Sequence, residues 1–145
     1  MATTTHKAYS AASVAILTTE LNSLATATNT AASSVIDNTA ALDLYADFEL
    51  VLAAQGTARS AGAIIALYAT YSLDGTNYAD VSEATAELVA VFSLDASTTA
   101  RRIVSRDVPI SPGKVKFFAR NSTGQTLAAT VNTISYRLHS ISTTI

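Results

Sequence analysis

Between Leu42 and Leu52 the chain reads LDLYADFELVL, with an apolar or small residue at every even position: Leu42, Leu44, Ala46, Phe48, Leu50 and Leu52. Asp43, Asp47 and Glu49 occupy odd positions between them. Alternation with period 2 predicts a β-strand with one buried face, and it puts the three carboxylates together on the other. Downstream, AIIALYATYS (63–72) is apolar or aromatic on both faces, as a central strand or one covered by a partner would be. ELVAVFSLD alternates again, with Leu88, Ala90, Phe92 and Leu94 on one side. RRIVSRDVPI runs into a Pro112-Gly113 turn, KVKFFARN follows, and TVNTISYRLHS places Ile134, Tyr136 and Leu138 on a shared face.

The first forty residues are rich in Ala, Thr, Ser and Asn and only weakly periodic. KAYSAASVAIL reads as a strand, TTELNSLA as a short helical turn capped by Thr18 or Thr19, and TNTAASSVIDNT as a second strand closed by an Asx turn. Residues 1–17 are therefore expected to form an N-terminal arm or first strand, the small residues here fitting either an arm that packs on a neighbour or a poorly ordered terminus. Residues 18–145 are expected to form a single domain. About eight short strands separated by turn chemistry, with little helix, predict an antiparallel β-sandwich or jelly roll. An immunoglobulin-like sandwich is the competing arrangement.

Composition narrows the classes. With 49% hydrophobic and 14% charged residues in 145, the chain is far from a disordered composition and long enough to bury a core. No apolar run approaches the ~18 residues of a membrane span, and no secretory signal is legible at the start. Without cysteine there are no disulfides and no thiol chemistry.

The net charge of −2 conceals an asymmetry. Residues 1–100 carry two basic residues against ten acidic ones, whereas residues 101–145 carry seven basic residues against Asp107 alone. The basic group is Arg101, Arg102, Arg106, Lys114, Lys116 and Arg120. Nucleic-acid modules interleave such residues with exposed aromatics, and only Phe118 fits that description here. The bland reading is that strands of the two halves lie side by side and compensate. The sharper one is that this basic face meets the acidic face (Asp43, Asp47, Glu49) of a neighbouring subunit in a closed head-to-tail ring.

Candidate chemistry is sparse. Asp47 and Glu49 would stand ~7 Å apart on one strand face, within the range of a glycosidase pair, but no aromatic-lined cleft accompanies them. Asp74, Asn77 and Asp80 place three oxygen ligands within one turn without completing a calcium-loop pattern. His6 and His139 have neither a nucleophile nor metal-ligand spacing and read as exposed or incidental. Asn121-Ser-Thr matches a glycosylation triplet by composition alone. The residues point to no enzyme and no cofactor.

The segments LNSLA, VIDNTAALDLYADFELVL, LYATYSLDGTNYAD and RRIVSRDVPISPGKVKFFARNSTG resemble the capsid decoration (cement) proteins of tailed bacteriophages. The resemblance covers roughly residues 15–140. It implies a β-sandwich or jelly-roll protein, made in the host cytoplasm and attached to the outside of a virion. It further implies a homotrimer that bridges major capsid protein subunits, with no catalytic residues and no contact with nucleic acid or membrane. The alternative is a tail or head-fibre component that binds a receptor or glycan.

Overall fold

The structure, a computed structural model, describes residues 4–144. Nine strands are formed and no helix is present among the described residues: β1 (Thr4–Tyr9), β2 (Val14–Leu17), β3 (Ile36–Asp37), β4 (Tyr45–Leu52), β5 (Ile64–Ser72), β6 (Glu87–Ser93), β7 (Arg101–Pro109), β8 (Lys114–Ser122) and β9 (Thr133–Thr144). They make two antiparallel sheets. The first has the order β1-β9-β4-β7, with β2 also on β9, and the second has the order β3-β8-β5-β6. The protein is an all-β sandwich.

The pairings are nested. β5 pairs with β6, β4 with β7, β3 with β8, and β1 and β2 with β9. The chain is thus one long hairpin, rolled so that successive pairs fall in alternate sheets, with β9–β4 and β8–β5 contacts joining them laterally.

Alternation decides which faces meet. On β4, Ala46, Phe48, Leu50 and Leu52 are buried while Tyr45, Asp47, Glu49 and Val51 are only partly so. Phe48 meets Phe117 of β8 edge-to-face across the sandwich, with ring centroids 5.3 Å apart. Ile65, Leu67, Phe92, Val115, Ala119 and Ile134 complete the centre of the core. Strand β4 begins at Tyr45, three residues later than its alternation predicts. Leu42 takes a left-handed conformation (φ +52°), which breaks the extended run; Leu42 and Leu44 are exposed and Asp43 is buried.

The N-terminal segment lies on this chain's own β9 as two short strands, β1 and β2, rather than one. The helical turn is present only as i→i+3 hydrogen bonds (Asn22 N–H to Thr19 O, Leu24 N–H to Leu21 O). Its cap is the Glu20 carboxylate, which accepts from the Thr18 and Thr19 N–H groups. Residues 28–35 run beside β8 without a regular ladder. Thr30 and Ser33 alternate backbone and hydroxyl contacts to Ala119 and Phe117, closing that edge of the second sheet.

The two-sided apolar strand β5 is central, as expected, and this chain's own β5–β6 connection crosses the outer face of its sheet. Three contacts mark that path: Gly75 lies at Lys114, the Tyr78 ring lies 4.4 Å from Lys116 Nζ, and Glu83 pairs with Arg120 at 2.8 Å. On this face Phe118 is fully buried and stacks on Tyr68 at 5.2 Å.

Candidate functional site

On the outer face of the first sheet, β1, β9, β4 and β7 converge on a polar cluster. Its hub is Asp47. Lys7 Nζ donates to both carboxylate oxygens (3.1 and 3.0 Å), Tyr9 OH donates to Oδ2 (2.8 Å), and the Asp107 N–H donates to Oδ1 (2.8 Å). Lys7 also pairs with Asp107 Oδ1 at 2.7 Å, and His139 Nε2 lies 3.0 Å from the same oxygen.

A β-bulge builds this arrangement. The β4–β7 register shifts between Ala46 and Phe48, so Asp47 faces both Arg106 and Asp107. The extra residue turns Asp107 (φ +54°) onto the outer face, a left-handed conformation that Asp tolerates better than most residues. His139 sits opposite both Tyr9 and Tyr45 in the ladders, edge-on to the first ring and stacked on the second. These neighbours bury the imidazole completely although it points outward, and its Nδ1 has no hydrogen-bond partner among the described residues.

Electrostatics tie the cluster together. Burial pushes the Asp47 carboxyl up, but the Asp107 N–H, the Tyr9 hydroxyl and the Lys7 ammonium together bring it down to about 2. Burial likewise opposes the Lys7 charge, yet its bonds to Asp107 and Asp47 hold it more firmly protonated than an ordinary lysine. Lys7 lowers Asp107 as well.

The nine residues singled out from the sequence do not form one surface. Asp43 is buried at the end of the sandwich. It accepts hydrogen bonds from Ser140 (2.8 Å) and Ser10, while Asn38 clasps its backbone from both sides (2.7 and 2.9 Å). Glu49 pairs with Arg102 on the neighbouring strand at 3.3 Å. Arg101 pairs with Asp95, which also takes the fully buried Arg59. Lys114, Lys116 and Arg120 lie under the β5–β6 connection. Arg106 is exposed and makes no ion pair among the described residues. The acidic and basic halves therefore compensate within one chain at Glu49–Arg102, Asp95–Arg101 and Glu83–Arg120.

Other candidates take structural roles. The Asp74 carboxylate accepts from the Thr76 and Asn77 N–H groups, the Asn77 amide and the Ser72 hydroxyl. Donors converge on it, which is an Asx turn and the reverse of a cation cage. Asn121 is fully buried: its amide donates to Leu24 O and Gln125 O, and its oxygen accepts from the Thr123 N–H and hydroxyl. It anchors the loop after β8 and offers no surface for a glycan. Asn121→Ala should cost about 2 kcal/mol in chemical denaturation, because buried donors and acceptors lose their partner.

His6 is exposed as expected, but the reading of His139 as exposed or incidental is corrected by its complete burial in the cluster. The alternation of Ile134, Tyr136 and Leu138 does place residue 139 on the outer face. That β9 lies between β1 and β4, which brings Lys7, Asp47 and His139 together, is not encoded in any local pattern.

No cavity opens among the described residues. No protein-family model matches this sequence, and no curated protein matches it either.

Proposed function

We propose that the protein is a virion structural component that binds the outer surface of a phage capsid as a homotrimer and bridges or stabilises major capsid protein subunits. Three things support this reading. The first is the sequence resemblance to capsid decoration proteins. The second is the nested pairing in two four-strand paths, which is compatible with the jelly-roll arrangement of many viral capsid domains. A fold of this kind hosts many functions, so it contributes analogy only.

The observation that carries the reading is the third. β6 ends the second sheet and β7 ends the first, and the two edge strands contact each other on one flank of the sandwich. Such edges carry unpaired backbone donors and acceptors and recruit another chain unless they are blocked. Leu88 and Val91 on β6 and Val104 on β7 are about half exposed there, with Arg102 and Arg106 beside Val104. A flank of this kind suits extended contact with another folded protein, and many weak copies on a symmetric shell act together.

Two measurements test it. Quantitative mass spectrometry of purified virions against the major capsid protein should return on the order of hundreds of copies per particle, as a shell-coating role requires. A few copies would place the protein on a tail or head fibre, and absence would overturn the virion reading. Val104→Lys, at an exposed position, should leave folding stability within about 0.5 kcal/mol while lowering trimer or shell occupancy at least roughly tenfold. Unchanged occupancy would remove the flank from the interface.

A further inference from the structure

We propose that Asp47, Asp107 and His139 form a binding site for a first-row divalent transition cation, with Zn2+ the best match, which Lys7 occupies as a competing resident cation. Each of the three residues offers a ligand atom, and these atoms all lie within 4.8 Å of one another. Ligands ~2.0–2.1 Å from a tetrahedral zinc ion stand about 3.4 Å apart, so small adjustments bring the set into range. One imidazole nitrogen with two carboxylate oxygens favours zinc, cobalt or nickel over the hard ions magnesium and calcium.

The second observation is the imidazole itself. The His139 side chain is fully buried, and its Nε2 lies against Asp107 while its Nδ1 faces Asp47 Oδ1 at 3.9 Å without a hydrogen-bond partner. With the ring proton on Nδ1, Nε2 presents its lone pair to the Asp107 carboxylate 3.0 Å away. That arrangement is unfavourable for a hydrogen-bonded network and suited to a metal. Tyr9 and Tyr45 lock the ring orientation, and the Asp107 N–H to Asp47 bond locks the two carboxylates relative to each other. The ligands are thus held by three adjacent strands, β9, β4 and β7, before any ion arrives.

Charge completes the argument. Two carboxylates face one ammonium, Lys7, the only cation among the described residues that is bonded to both. Among the other cations on this face, Arg137 is engaged with the Tyr9 ring and the Ala11 carbonyl and Arg102 with Glu49, while Arg106 is exposed and makes no ion pair among the described residues. Lys7 comes from the edge strand β1 and its side chain is about a quarter exposed, so it can withdraw into solvent while remaining charged. A divalent ion in its place balances both carboxylates and takes the Nε2 lone pair that faces Asp107.

Lys7→Gln separates this site from a closed ion-pair network. The readouts are calorimetric titration of the full chain with ZnCl2 and the visible bands of bound Co2+. Removing the competing ammonium should tighten Zn2+ binding at least about tenfold over the unaltered protein. Adding Asp107→Asn, at a half-exposed residue, should abolish that gain while circular dichroism shows the fold intact. MgCl2 should produce no comparable heat. Zn2+ binding that is no tighter in Lys7→Gln, or that survives Asp107→Asn, would overturn the proposal and leave the cluster as ion pairs alone.

Discussion

Phe48→Ala should lower the folding free energy by about 3–5 kcal/mol, because it removes a fully buried aromatic and leaves a cavity between two sheets that cannot collapse freely. The ring is on β4, a central strand of the first sheet, and its partner Phe117 is on β8 of the second. The contact therefore joins the sheets rather than strands within one. Chemical denaturation should show the loss as a lower midpoint with an unchanged slope, and the thermal midpoint should fall by roughly 10 °C. Glu49→Ala, one residue along on the opposite face, is the control. Its pair with Arg102 is solvent-exposed, so the expected cost is only ~0–1 kcal/mol. Similar losses for the two variants would mean that the inter-sheet contact is not where the stability resides.

Asp47→Ala should cost about 2–4 kcal/mol, since it strands Lys7, the Tyr9 hydroxyl and the Asp107 N–H in a largely covered site. Lys7→Met combined with Asp47→Ala should cost less than the two separate losses added together, and a double-mutant cycle measures that coupling. Additive losses would show that the pair is not coupled. The same carboxylate gives a pH signature in chelator-treated buffer. Its folded value of about 2 lies below the ordinary carboxylate value, so its contribution is complete above roughly pH 4 and fades as the pH falls toward 2. That contribution is about 1–2 kcal/mol once partial exposure is allowed for, and Asp47→Ala should flatten the stability profile in this window. The residue's position also governs charge-reversal tests of assembly. Asp47→Lys disturbs this chain's own fold, whereas Glu49→Lys probes the outer face alone.

Much of the fold is legible along the chain because strand alternation is a local property. Phe48, Leu50 and Leu52 announce the buried face of β4, and the mixed apolar pattern of residues 63–72 announces a central strand. The Asp74-Gly75 pair announces the turn that follows. Alternation could not show where β4 starts. Leu42 and Leu44 keep the period, but the left-handed backbone at Leu42 and the Asn38 clasp on Asp43 interrupt it, and both depend on packing at the end of the sandwich. The second covering of β5 was readable as a need but not as an answer, since the connection that follows β5 and a partner subunit satisfy the same pattern.

The cluster around Asp47 lay beyond reach for a plainer reason. Its members stand at positions 7, 9, 47, 107 and 139, and only the nested pairing of β1, β9, β4 and β7 makes them neighbours. The bulge that turns Asp107 outward is a one-residue mismatch between two strands, a quantity that no single strand contains. The Glu49–Arg102 pair across the two charged halves is likewise set by strand order. The sequence by itself determined which side chains face inward, because the strand period is fixed by backbone geometry. Tertiary structure decided which outward side chains meet, because that depends on long-range register and strand order.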